Sequence, residues 1–303
     1  MINSILLSLN ILLAPSGLHA IQDVSSLAAR LTGMTAVSGF EQAMSDSLIQ
    51  LLPGAQRDRA GNVIAILGDG QPVRAAVCPM DEPGYVVGGI QEEGYVTLRR
   101  VGSGIPPYFD QGHAGHRVTI WGGSAPVPAV VSIPSTHLRR GRSGGSESMF
   151  DVDEMYLDLG ATSPDDVGSR GVRLLNPVAL EKQPHRYGES LLSGLHAGQR
   201  SACAALIAAH RDAPRLTGSL VVAFTVESRI GHRGVYTLLN GYGPFESTLL
   251  VAYHGPRQME DGFGDVVRMG VETRYTGWQV ETVDLTELQP LVRSIREWMR
   301  GTQ

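Results

Sequence analysis

Cysteine is nearly absent: Cys78 and Cys203 are the whole complement of a chain of 303 residues. Two thiols cannot build a disulfide framework or a four-thiolate zinc site, so both read as buried free thiols. Positive charge is also scarce, with 25 Lys and Arg against 30 Asp and Glu and a formal charge of -5. That balance leaves no cationic excess to neutralise phosphates, which excludes nucleic acid as a partner. The most apolar stretch, Ile5 to Leu13, falls short of the roughly 20 residues that a bilayer-spanning helix needs, so no transmembrane span is expected. No repeat of solenoid length occurs.

What the chain does have is apolar content, 42% hydrophobic, enough for a sizeable core. It also has 37 glycines spread along its length, which imply many turns and close backbone approaches. Residues 1–20 form an apolar leader or N-terminal extension. They resemble a secretory signal with a small residue at Ala20, but lack a basic residue before the apolar core.

Apolar residues recur at helical spacing over Asp23 to Leu31 and again over Phe40 to Leu52, with a Ser38-Gly39 break between. Asp58 to Asn62 turns the chain into a strand over Val63 to Leu67, and Val73 to Cys78 is a second apolar strand ending at Pro79. From Tyr85 to Asp158 short β-branched runs alternate with glycine and proline, the texture of a small β-barrel inserted over residues 85–158. Within it, Leu138 to Ser148 reads as a solvated basic loop. Residues 21–84 and 159–303 are read as one α/β domain. Met155 to Ala161 is expected to return to its sheet, followed by a helix over Gln199 to Ala209 and strands over Leu220 to Val226 and Leu249 to Tyr253. A capped helix closes the chain, with Asp284 as cap, Glu287 three residues on, and Leu285, Leu288, Leu291, Val292, Ile295 and Trp298 on one face. This alternation predicts an α/β fold, a doubly wound mixed sheet flanked by helices.

Two stretches carry the chemistry: Cys78-Pro79-Met80-Asp81-Glu82-Pro83-Gly84-Tyr85 and Thr225-Val226-Glu227-Ser228-Arg229-Ile230-Gly231-His232-Arg233-Gly234. Together with Ser38-Gly39-Phe40-Glu41, Asp58 to Val63, Tyr156 to Ser163 and Arg274-Tyr275, in that order along the chain, they resemble the glutamyl aminopeptidase and endoglucanase-M family, the tetrahedral (TET) dinuclear metallo-aminopeptidases. The resemblance runs from about Leu27 to the C-terminal helix. It implies a zinc-aminopeptidase-like domain, the inserted β domain and a two-metal hydrolytic site, in which imidazole and carboxylate ligands hold the ions and a glutamate activates water.

The same resemblance places every ligand on a residue that cannot serve. The ligand His falls on Pro79 and the bridging Asp on Gly198. The general-base Glu falls on Ser228 and the ligand Glu beside it on Arg229. The next Asp falls on Tyr253 and the last His on Gly277. Asp81, which in the family orients the His, and Glu82 are kept. The segment between Tyr253 and Arg274 is also shorter than in the family, which implies loss of an outer part of the sheet. Arg229 is expected to pair with Asp81 or Glu82 and fill the vacated space, because a buried lone cation is costly.

These residues imply a catalytically inactive homologue with a structural or binding role, a homo-oligomer or a hetero-oligomer with related subunits, and no cofactor. An alternative is an active metal-dependent aminopeptidase with zinc or cobalt on a relocated set, Asp81, His196, Glu227 and His254. Strand alternation points Glu227 away from the face of Ser228, and His254 away from that of Tyr253. A third reading makes Ser228 a nucleophile beside His232 or His254. The resemblance implies a cytoplasmic protein, and a cleaved leader a secreted or periplasmic one.

Overall fold

The computed structural model describes residues 16–106, 108–123, 125–132, 152–252 and 262–301, with residues 16–23 given by their backbone alone. The first part of the leader, the Leu138 to Ser148 loop, Tyr253 and His254 lie outside the described residues.

The first two helices, α1 (Ser16–Thr32) and α2 (Gln42–Leu51), form where their apolar spacing predicts. Val24, Leu27, Ala28 and Leu31 of α1 and Met44 and Leu48 of α2 are buried on one side. A short strand β1 (Gln56–Arg57) pairs antiparallel with β2 (Val63–Gly68), and β3 (Val73–Pro79) follows.

Met80 to Pro83 then lead out of this layer into a closed barrel. Its strands are β4 (Gly84–Ile90), β5 (Val96–Val101), β6 (Arg117–Gly122), β7 (Ala125–Ser132), β8 (Tyr156–Asp158) and β9 (Pro177–Leu180), closed in the order β4-β5-β8-β7-β6-β9. Inward residues of alternate positions, among them Tyr85, Val87, Val96, Leu98, Val118, Ile120, Leu157 and Val178, fill it. A short helix α3 (Pro164–Ser169) precedes the closing strand, its start capped by the Ser163 hydroxyl.

Two expectations change here. Tyr156–Asp158 does not return to the α/β sheet but pairs with β5 and β7, and the barrel strands extend beyond Asp158 to Leu180. The reason is closure: β4 and β6 would both be open edges without β9, which pairs with each.

After the barrel come β10 (His185–Tyr187) and β11 (Leu191–Ser193), then helix α4 (Ala197–Arg211) and strand β12 (Ser219–Thr225). Helix α5 (Arg233–Tyr242), strands β13 (Ser247–Val251), β14 (Asp265–Met269) and β15 (Thr282–Asp284), and helix α6 (Leu288–Arg300) complete the fold. The main sheet runs β1-β2-β12-β3-β13-β14, parallel from β12 to β14 with an antiparallel edge. One face carries α1, α2, α4 and α6, the other α5, so β3 and β12 are buried on both sides and read as continuous apolar runs. The Arg274-Tyr275 motif forms a single bridge, from Arg274 to Thr282, because Tyr275 and Gly277 both take left-handed backbone and turn the chain.

The two cysteines are not free. Cys78 on β3 and Cys203 on α4 form a disulfide with Cα atoms 5.8 Å apart. They lie 125 residues apart in sequence, and only the packing of α4 across the sheet brings them together. Closing so long a loop restricts the unfolded chain, a stabilisation of about 3–5 kcal/mol. Thiol titration of the denatured, unreduced protein is therefore expected to find no reactive thiol. Replacing both cysteines by alanine is expected to lower the urea midpoint accordingly; an unchanged midpoint contradicts this role.

Candidate functional site

In a doubly wound sheet, clefts open at the carboxyl ends of the parallel strands. Here those ends are Pro79 of β3, Thr225 of β12 and Val251 of β13. The ends of β3 and β12 stay in register through Met80 N–H donating to the Thr225 carbonyl at 2.8 Å. The first turn of α4 clamps the same strand end: Gln199 Nε2 donates to the carbonyls of Pro79 and Asp81 at 2.7 and 2.8 Å, and Arg200 to that of Met80.

Glu82 is buried within this clamp. Its Oε1 accepts the Ala36 N–H at 3.1 Å, and its Oε2 accepts Arg200 Nη2 at 2.8 Å and Lys182 Nζ. Burial alone pushes this carboxyl up, but Lys182 and Arg200 prevail and hold it at about 2. The expected Arg229 pair with Asp81 or Glu82 is not formed. Glu82 is already held by Lys182 and Arg200, and Asp81 Oδ2 takes the Ser38 hydroxyl and the backbone N–H of Arg229, the latter at 3.1 Å.

The guanidinium of Arg229 points instead into a cavity of about 930 Å³, shared with Gly198, Gly277, His196 and Glu281. The structure thus brings Gly198, Arg229 and Gly277 together, with Pro79 at the adjacent strand end and Ser228 beside Arg229. Both glycine positions are closed to larger side chains. A Cβ on Gly198 would lie 2.2 Å from Thr273 Oγ1, and one on Gly277 would lie 2.6 Å from Pro106 Cγ. Glu281 is buried between them, accepting the N–H groups of Gly277 at 2.8 Å and Gly198 at 3.4 Å. Burial raises its carboxyl above the usual range.

Of the relocated metal set, three members are described and His254 lies outside the described residues. Asp81 and His196 sit near the cavity, but Glu227 takes left-handed backbone and turns its carboxylate to Arg233, Nε to Oε2 2.8 Å. It lines a separate cavity of about 660 Å³ with Glu41, Phe40 and Trp121. Among the described residues no group of three or more His, Cys, Asp or Glu could hold an ion. Of the two bases expected for the Ser228 relay, His232 has its Nδ1 buried without a hydrogen-bond partner, and His254 lies outside the described residues.

Sequence reasoning missed Lys182, Glu281 and the chemistry of Glu41. The first two stand alone in sequence with no motif around them. Glu41 was visible only as part of a helix junction, yet it is buried and its Oε1 accepts the Glu227 N–H at 2.8 Å. Burial pushes its carboxyl up to about 7. A folded-state value above the unfolded one favours the protonated form in the native state. Its contribution to stability is full below about pH 4.5 and is lost as pH rises through about 7, roughly 3 kcal/mol in all. The Glu41→Gln variant is expected to lose less stability than the parent between pH 5 and 8, measured by urea unfolding. Parallel profiles contradict this.

A family profile described as M42 glutamyl aminopeptidase matches residues 61–248. The putative aminopeptidase FrvX of Escherichia coli (strain K12) is 29% identical over 216 residues, covering 70% of this chain and 59% of its own. The chain thus spans about three fifths of that relative's length. The fold is shared with solved structures, of which two serve as examples. One is the aminopeptidase APDkam598 from the archaeon Desulfurococcus kamchatkensis, with TM-score 0.81 at 14% identity over 93% of this chain and 96% of that one. The other is the Pyrococcus horikoshii TET1 peptidase, with TM-score 0.79 at 21% identity over 92% and 100%. Members of the matched family are metal-dependent, which corrects the expectation that no cofactor is involved. The residues described at the cavity nevertheless do not fit a pair of such ions: beside one imidazole, His196, they present a guanidinium, two glycines without room for a donor and a Glu281 whose oxygens accept backbone N–H groups. Because the profile spans more than half of its length, the chain belongs to the M42 glutamyl aminopeptidase family.

Proposed function

We propose that this family member binds a ligand or partner, within an oligomeric assembly, without hydrolysing peptides by the chemistry of its relatives. The observation that carries this reading is the side-chain content of the cavity. Where the resemblance places ligands and a general base, the chain has Pro79, Gly198, Ser228, Arg229 and Gly277, and the packing of Thr273 and Pro106 occupies the room that donors at the glycines would need. A serine hydroxyl has no affinity for the proton of an attacking water comparable with that of a carboxylate. A guanidinium repels dications in a partly dehydrated cleft. Asp81 Oδ1 is buried with no donor, consistent with an acceptor whose imidazole partner has been replaced by Pro79.

Assembly is supported by the fold shared with the Pyrococcus horikoshii TET1 peptidase, which can assemble into a tetrahedron or a large octahedral shell. Exposed Phe40, Trp121, Ile230 and Tyr236 offer apolar surface for such contacts. An oxidising compartment, secreted or periplasmic, is supported by the Cys78–Cys203 disulfide, since cytosolic reductants keep most thiols reduced. Among the described residues no helix is long and apolar enough to cross a membrane.

The relatives named as aminopeptidases favour a second reading, an active metal-dependent peptidase. Protein supplied with excess zinc, cobalt or manganese and assayed on aminoacyl chromogenic amides separates the two. The inactive reading expects no turnover above the rate without protein; turnover that a chelator abolishes overturns it. Light scattering is expected to give a mass of several chains, and a stable single chain contradicts the assembly.

A further inference from the structure

We propose that the cavity at the carboxyl end of the sheet binds an organic monocarboxylate, whose charge is taken by the Arg229 guanidinium with His196 Nε2 as a second contact. This deepens the non-hydrolytic reading and rests on it.

Arg229 is held by its backbone, its N–H on Asp81 and its carbonyl accepting both the N–H and the hydroxyl of Ser103, at 2.8 and 3.0 Å. The side chain runs past Gly102 and Gly104, where added Cβ atoms would sit 3.0 Å from its Cβ and 3.5 Å from its Nη1. Both glycines take left-handed backbone, so the loop is shaped to let this stem pass. Yet no described carboxylate pairs with the guanidinium, although it is half-buried. A partly desolvated fork of donors without an acceptor is costly, and a ligand carboxylate would offset that cost with two parallel charge-assisted hydrogen bonds.

His196 supplies the independent observation. It lines the same cavity, is 5% exposed, and its Nε2 has no hydrogen-bond partner among the described residues. Burial, with the cations around it, drives the imidazole well below its ordinary range, so it is neutral and offers one N–H without adding charge. The charged groups facing the cavity are Arg229, Arg268 and Glu281. The Glu281 oxygens already accept backbone N–H groups, so it adds negative potential without offering a donor. That balance suits a single negative charge rather than the double charge of a phosphate. Pro106, Phe109, Leu250 and Val271 line the rest, a wall for an apolar ligand body. Tyr108, stacked on Trp278 with ring centroids 4.5 Å apart, also lines the cavity and couples it to an indole reporter.

The test compares N-acetyl-phenylalanine, its uncharged amide and inorganic phosphate by calorimetry and Trp fluorescence on the full chain. The acid is expected to bind at least tenfold more tightly than the amide, and phosphate more weakly than the acid. Arg229→Gln is expected to lose tenfold or more for the acid alone, and Arg229→Lys to lose less. His196→Asn, which tolerates the left-handed backbone, is expected to weaken the acid several-fold. Circular dichroism checks folding, and Arg229→Lys against His196→Asn carries the comparison if the glutamine variant does not fold. Equal binding of acid and amide, no binding of either, tighter phosphate, or unchanged affinity in the folded Arg229 variants overturns the proposal. Chromogenic-amide turnover with the preference for the acid intact overturns the non-hydrolytic reading alone; loss of that preference without turnover overturns this inference alone.

Discussion

Glu82 sits at the point where the chain leaves the α/β sheet for the barrel, and its buried carboxylate holds three separate segments together. Arg200 comes from α4, Lys182 from the strand end where the chain leaves the barrel, and the Ala36 N–H from the junction between the first two helices. Two cations against one buried anion leave each group with a partner, which is the condition under which a buried ion cluster is tolerated. The disulfide joins α4, which carries Arg200, to β3, the strand whose end leads to Glu82. Everything placed at the cavity, including the entry of α4 and the position of Pro79, follows from this pinned crossing.

On that fixed frame the cavity carries two guanidinium groups, Arg229 and Arg268, against one carboxyl, Glu281. A dinuclear site needs a ring of anionic and imidazole donors around its ions. This chain presents a guanidinium to the cavity, fills the space at Gly198 with Thr273 and that at Gly277 with Pro106, and retains Asp81 as an acceptor with one oxygen unsatisfied. The fold of the solved aminopeptidases is shared, while the proposal of an anionic ligand rests on the groups presented to the cavity. The Glu82 cluster and the charge at the cavity are separable, because among the described residues no hydrogen bond or ion pair joins Glu82, Lys182 or Arg200 to the guanidinium of Arg229.

Much of the fold was legible because periodicity reports burial directly: β3 and β12 read as unbroken apolar runs since helices cover both faces, and α6 showed its buried stripe. The return from the barrel was not legible. Tyr156 to Asp158 has the same apolar alternation whichever sheet it joins, and only closure of the barrel decides. The disulfide was hidden by its sequence separation. At the site, Gly198, Arg229 and Gly277, which the motif order had singled out, line one cavity. The partner of each charge was not readable, because Lys182 and Arg200 arrive from distant segments and take the Glu82 carboxylate that Arg229 was expected to meet.

The most direct measurement is mass spectrometry of a mixed peptide library incubated with the full chain and added cobalt. The account expects every peptide to keep its N-terminal residue. Stepwise release of N-terminal residues, abolished by a chelator, would contradict it.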